Sequence, residues 1–191
     1  MPGRDTADQE TAGREMTDRE PVIVVDLGTG SGAIGLALAV ECPATEVWLT
    51  DTSPDALAVA RANLSGLGVA AKGVRVAEGS WFEALPNELR GQIDVIVSNP
   101  PYVADAADLE TQVADWEPMS ALVAAEGGTA HLVRIIDEGF DWLRPGGALV
   151  LEMAPDQVAV MAERARKRFL EVATATDMAE RPRAVVAHKA P

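Results

Sequence analysis

With 191 residues, 48% of them hydrophobic, the chain has the length of one domain and enough apolar material to fill one core. Its 30 acidic against 16 basic residues give a formal net charge of −14. That balance disfavours nucleic acid as a partner, because neutralising phosphates with Lys and Arg supplies much of such affinity. The single cysteine, Cys42, excludes an internal disulfide framework and a Cys-rich metal site.

Residues 1–20 (MPGRDTADQETAGREMTDRE) hold almost no large apolar side chains and are expected to form a disordered polar lead, with one domain over 21–191. They also lack the apolar core of a secretory signal. The longest apolar run, near Ala33–Val40, is too short to cross a bilayer, so a cytoplasmic protein is expected.

Pro21–Asp26 reads as a buried strand ending in an acid, and Ser31–Val40 as a helix. Glu46–Asp51 is a second strand, also ending in an acid. In Ser53-Pro54-Asp55, Ser53 can cap a helix, Pro54 suits its first position and Asp55 complements its dipole. This helix is expected to run to about Leu64 and stop near Gly66. Val74–Glu78 and Ile93–Ser98 are the third and fourth strands. A helix from about Thr129 to Leu143 should end at Pro145-Gly146-Gly147, with a fifth strand over Ala148–Met153. Gln157–Phe169 has helical character, and Leu170–Thr176 with Arg183–Lys189 forms a closing strand pair. Strands alternating with helices predict an α/β Rossmann-like domain. Its seven-stranded, mostly parallel sheet would carry helices on both faces and ligands beyond the carboxyl ends of the strands.

The sequence places its most unusual chemistry at that end. Asp26-Leu27-Gly28-Thr29-Gly30-Ser31-Gly32 follows the first strand directly. Glycines at alternate positions allow a tight turn and let a ligand lie on bare backbone. Asp26 can receive a cation such as the ammonium of a methionine moiety. Asp51, with Thr52 beside it, can accept the hydroxyls of an adenosine ribose. Those two demands together describe S-adenosylmethionine. Two other readings stand beside it. Gly30-x-Gly32-x-x-Gly35 also fits the dinucleotide fingerprint, and the segment can be a purely structural turn. After the third strand comes Gly79-Ser80-Trp81-Phe82, where Trp81 is read as an adenine neighbour and Phe82 as core.

Asn99-Pro100-Pro101-Tyr102 follows the fourth strand. Two prolines stiffen the loop and remove two N–H donors, and Pro100 restricts Asn99 to extended conformations. What remains is a wall of acceptors, the Asn99 side-chain oxygen and the Pro100 carbonyl, with Tyr102 able to cover a planar group. An amide or aromatic amino nitrogen is a poor nucleophile because its lone pair is delocalised. Two acceptors holding its two hydrogens aim that lone pair and favour pyramidalisation. The two histidines, His131 and His188, are isolated and are read as structural or surface residues. The basic residues Arg164, Arg166, Lys167 and Arg168 are read as a solvated helix face. The acid-rich stretch Asp105–Asp115 is read as a mobile segment over the site.

From about Val22 to Lys189 the chain resembles the catalytic domain of the HemK/PrmC family, the peptide chain release factor N5-glutamine methyltransferases. The resemblance rests on DLGTGSGAIGLALA, the acid at Asp51, GSWFEAL, IVSNPPYV, WEPMSALVAAEGG, LRPGGALVLEM and DMAERPRAVVAHK. Glu117-Pro118 followed by Ala121-Leu122 is the most specific part, since DLGTGSG and NPPY occur in other methyltransferases. The resemblance implies S-adenosylmethionine held by Gly28, Thr29, Gly30, Ser31, Gly32, Asp51, Trp81 and Asn99, and leaving as S-adenosylhomocysteine; Asp26, Thr52 and Ser80 are read as further cofactor contacts. It implies a glutamine amide held at Asn99, Pro100, Pro101 and Tyr102, and a protein substrate with a Gly-Gly-Gln motif. The alternative acceptor is a small molecule and, ranked behind it, the amino group of a nucleic-acid base. The family's bacterial members carry an N-terminal helical domain where this chain has its polar lead, and many carry an acid where Ser80 stands.

Overall fold

The computed structural model describes residues 21–101 and 129–191. The expectations for the lead 1–20, for Tyr102, for Asp105–Asp115 and for Trp116–Leu122 lie outside those residues. Seven strands form one sheet in the order β3-β2-β1-β4-β5-β7-β6. They are β1 (Val22–Leu27), β2 (Thr45–Asp51), β3 (Val74–Glu78), β4 (Ile93–Ser98), β5 (Leu143–Glu152), β6 (Glu171–Thr176) and β7 (Pro182–His188). β1 runs parallel to both β2 and β4, and β7 is antiparallel to β5 and β6. The predicted α/β class is therefore found, with the expected antiparallel closing pair.

Alternation within β1 shows how the sheet acquires two cores. Val24 faces a cluster with Leu36, Ala39, Val47, Leu49, Ala60 and Val74. Its neighbour Val25 faces the larger cluster on the opposite side. The helices α1 (Ala33–Glu41) and α2 (Pro54–Ser65) supply the first cluster. The helices α3 (Ala130–Trp142) and α4 (Val158–Ala165) supply the second, through Leu132, Ile135, Ile136, Met161 and Ala165. Helix α2 begins as its sequence dictates: Ser53 Oγ accepts from Ala56 N at 3.2 Å, Pro54 opens the helix and Gly66 closes it. Trp142 stacks on Phe82 with ring centroids 5.6 Å apart, so both are core. On the α1 side, a cleft of about 480 Å³ opens between Ile34 of α1 and the strand residues Val97, Val150 and Ala184.

Two local expectations need correction. Pro145-Gly146-Gly147 is not a turn between helix and strand, because β5 starts at Leu143 directly after α3. The ladder absorbs these residues through a register shift between the Ile93 and Val95 pairings. A Cβ on Gly147 would stand 3.0 Å from Ile93 O, so glycine permits that passage. The helix expected over Gln157–Phe169 is shorter, Val158–Ala165, and the chain turns so that Phe169 returns to the core. Short 3₁₀ turns at Gly68–Gly73, Trp81–Ala84 and Asn87–Leu89 were not anticipated.

The basic residues near α4 are committed to acids. Arg164 pairs with Asp137, Arg166 with Glu163, and Arg168 with Asp141 while lying over the Phe140 ring. Among the described residues, no helix is long and apolar enough to cross a membrane. Leu149 is fully buried in the larger cluster. Leu149→Ala should therefore cost about 2–5 kcal/mol, seen as a lower urea midpoint with an unchanged slope.

Candidate functional site

At the carboxyl end of the sheet, β1 is flanked by β2 on one side and β4 on the other, and the chain leaves in opposite directions from there. Asp26 sits in that crevice with 1% of its surface exposed. Its Oδ2 accepts from Thr29 Oγ1 at 2.7 Å and from Gly35 N at 2.9 Å, which leaves Oδ1 for a ligand. Gly35 has to be glycine, since a Cβ there would stand 2.2 Å from Leu49 Cδ2. Burial pushes the Asp26 carboxyl up to about 6, helped by the nearby Asp51 charge and opposed by the two hydrogen bonds. A buried acid with a raised pKa suits a cationic ligand, whose charge restores the ionised form.

The turn above Asp26 takes left-handed backbone at Gly28, Gly30 and Gly32, with φ of +66°, +56° and +84°. Thr29 N donates to Thr50 O at 2.8 Å, so the turn leans on β2 as well as on β1. Asp51, at the end of β2, accepts from Gly30 N and from Ser53 N, each at 2.9 Å. Asn63 on α2 donates through Nδ2 to Ser31 O at 2.9 Å, an anchor that sequence reading did not find. Ser31 and Thr52 are exposed beside the turn.

These contacts decide between the candidate ligands. A dinucleotide needs the turn and the helix start to offer free N–H groups to a pyrophosphate. Here Gly30 N and Gly35 N already end on carboxylates. A second pair of anionic oxygens would meet Asp26 and Asp51. A zwitterionic, sulfonium-bearing nucleoside has no phosphate and does not meet that repulsion. The open space above Gly30, where a Cβ would touch nothing within 4 Å, leaves room for it. The residues present therefore fit S-adenosylmethionine and disfavour the dinucleotide.

Trp81 lies on the far side of the turn. A Cβ on Gly28 would stand 3.3 Å from Trp81 Cζ3, so the indole packs against bare backbone. The indole also meets His131 of α3, with ring centroids 5.1 Å apart and planes tilted by 49°. Trp81 has φ +52°, a left-handed conformation that is uncommon for a bulky residue. Ser80 Oγ accepts from Arg134 Nη1 at 3.0 Å. Sequence alone reads His131 as a structural or surface residue. Its contact with Trp81 spans 50 positions of sequence and has no local signature. Burial and the Arg134 charge hold the His131 imidazole below its usual range.

Across the crevice, β4 delivers Asn99 next to the turn. Ser98 Oγ donates to Leu27 O at 2.7 Å and ties the end of β4 to the end of β1. Asn99 is exposed, Pro100 is buried and Pro101 is half-buried. The loop is thus rooted by a proline while its amide side chain reaches solvent. The structure brings Asp26, the glycine turn, Asp51, Ser80–Trp81 and Asn99–Pro101 to one end of the sheet.

A family model described as methyltransferase small domain matches residues 14–133. The chain belongs to that family. The fold agrees: a methyltransferase from Pyrococcus furiosus superposes with a TM-score of 0.65 at 20% identity, covering 98% of this chain and 84% of that one. The sheet order and its two helical layers are those of the class I S-adenosylmethionine-dependent methyltransferases, and S-adenosylmethionine is the cofactor of that class. Among curated proteins, the release factor glutamine methyltransferase of Salmonella typhimurium is 46% identical over 157 residues, 81% of this chain and 54% of that protein. The release factor glutamine methyltransferase of Bordetella pertussis is 42% identical over 172 residues, 89% of this chain and 62% of that protein. The chain thus spans a little more than half the length of these relatives.

Two outcomes follow for this family member. Asp51→Ala removes the carboxylate that accepts from Gly30 N and Ser53 N, and should weaken S-adenosylmethionine binding at least about tenfold by calorimetry, the scale of a lost charge-assisted hydrogen bond. An unaltered dissociation constant would sink the ribose role. The second concerns pH. Asp26 titrates at about 6 in the folded chain, against 3.8 for the ordinary carboxyl. Between these values the folded state holds a proton that the unfolded state has lost, so the group favours folding at low pH and that contribution fades as pH rises through 6. Cofactor capture needs the anion, so affinity should move the other way and fall as pH drops through about 6. Asp26→Asn should flatten that profile; a wild-type affinity constant from pH 5 to 8 would remove the ammonium-binding role.

Proposed function

We propose that this chain transfers a methyl group from S-adenosylmethionine to the side-chain amide nitrogen of a glutamine, in a protein substrate of release-factor type. The observation that carries the reading is the Asn99-Pro100-Pro101 wall, rooted by the buried Pro100 at the end of β4 and tied through Ser98 to β1 beside the glycine turn. The naming of two relatives above 40% identity as release factor glutamine methyltransferases supports the same acceptor.

The chain's own groups have three tasks. Asp26 Oδ1 and the Asp51 carboxylate would hold the two ends of the donor, ammonium and ribose, and the Gly28 backbone with the Trp81 ring would flank its base. Bound there, S-adenosylmethionine supplies an electrophilic methyl on a sulfonium, and the leaving sulfur needs no protonation. Asn99 Oδ1 and the Pro100 carbonyl would each accept one N–H of the glutamine amide. That grip withdraws the nitrogen lone pair from the amide system and points it at the methyl. The methylated nitrogen sheds one proton to water, so the site needs no strong general base. The chain's formal net charge of −14 fits a protein acceptor better than a phosphate-bearing one. A cytoplasmic setting suits such a substrate.

Asn99→Ala tests this reading. Affinity for S-adenosylmethionine should stay within a few-fold, while turnover on a Gly-Gly-Gln protein should fall at least ~10²-fold, the scale of a lost transition-state contact. Unchanged turnover would refute the assignment.

A further inference from the structure

Trp81 poses a mechanical problem. Its φ of +52° is a conformation that a bulky side chain leaves unless its surroundings hold it. Several contacts do so. Gly79 N donates to Asp51 O at 3.0 Å on one side of the residue, and Glu83 N donates to Ser80 O at 3.0 Å across it. Phe82, next in the chain, is locked in the core against Trp142. The remaining restraint comes from 54 residues away. The guanidinium of Arg134 on α3 uses all three of its nitrogens: Nη1 donates to Ser80 Oγ at 3.0 Å, Nη2 to Glu83 Oε1 at 2.8 Å and Nε to Glu138 Oε1 at 2.7 Å.

Magnitudes separate two readings of this cluster. As a stability device it is weak, because Glu83 is 68% and Glu138 41% exposed, and exposed ion pairs contribute little. As a clamp it is specific. Ser80 and Glu83 bracket Trp81 in sequence, and one planar fork fixes the distance between their side chains, which a lysine ammonium does not reproduce. His131 lies one helical turn before Arg134 and presses on the indole, so α3 restrains both the backbone and the ring.

We propose that Arg134 is a positioning residue for the cofactor site, holding the Ser80–Glu83 turn in the strained form that lays the Trp81 indole along Gly28. The inference rests on the reading of Trp81 as the wall for the base. It assigns no contact between Arg134 and any ligand. Through this clamp, α3 sets the pocket's affinity without touching its occupant.

The test is calorimetric titration of the full chain with S-adenosylhomocysteine, using Trp81→Ala, Arg134→Met, Arg134→Lys, Ser80→Ala and the double variant Trp81→Ala/Arg134→Met. Releasing a strained residue lets it relax away from its binding form, so Arg134→Met should lose about tenfold in affinity with a melting temperature within a few degrees of wild type. Arg134→Lys should recover little of that loss. Ser80→Ala, which cuts one contact and leaves both ion pairs, should reproduce most of it. The double variant should bind no worse than Trp81→Ala alone, because both changes act on one wall. Additive losses would overturn the clamp, as would a full-affinity Arg134→Met beside a weakened Trp81→Ala. Full affinity in Trp81→Ala would instead remove the base-wall reading itself, whatever Arg134→Met does.

Discussion

The site is organised by a carboxylate that the fold keeps almost dry. Asp26 is the last residue but one of β1, and its Oδ2 accepts from both the Thr29 hydroxyl and the Gly35 amide, so one oxygen fixes the bottom of the glycine turn and the first turn of α1 together. That arrangement works only because Gly35 lacks a side chain and lets the helix approach the strand. The turn is then pinned from above by Asp51, which takes Gly30 N, and from the side by Asn63, which reaches Ser31 O. Two acids and one amide thereby convert a flexible run of glycines into a shaped surface. The same two acids occupy the Gly30 and Gly35 donors that a phosphate would claim, which is the ground for the ligand preference proposed above.

The parallel pairing of β1 with β2 and with β4 is the second requirement. It brings Asp51 and Asn99, which lie far apart in sequence, to opposite sides of one crevice. The Ser98 to Leu27 hydrogen bond keeps the acceptor loop in register with the turn. A methyl transfer needs little chemistry from the protein beyond such placement.

Much of this was legible in the sequence, for physical reasons that can be named. β3 and β4 fall on their predicted residues because each is a short β-branched run between turn residues, and α2 starts at Ser53 because cap, proline and acid coincide there. Asp26, Asp51 and Asn99 stood out because each ends a strand at the ligand-binding end. The segment after α3 was misread because Pro145-Gly146-Gly147 has turn composition, while the actual constraint is a register shift against Ile93, a partner 50 positions away. Arg134, Asn63 and the ring partner of His131 are not legible for the same reason: each is defined by long-range neighbours. Ser80, read as a cofactor contact, also receives Arg134 through its hydroxyl. Sequence pattern encodes which element a residue lies on far better than what it meets across the fold.

The backbone of Trp81 carries a trade-off into any attempt to improve this protein. A non-glycine residue in the left-handed region costs on the order of 1–3 kcal/mol, and glycine at the same position would relieve it. Any residue other than glycine keeps that strain, and glycine gives up the indole's packing against the core as well, so position 81 offers no free gain in thermal endurance. On the reading of Trp81 as the wall for the base, glycine there would lose ligand capture too, and a screen has to demand heat resistance and binding together.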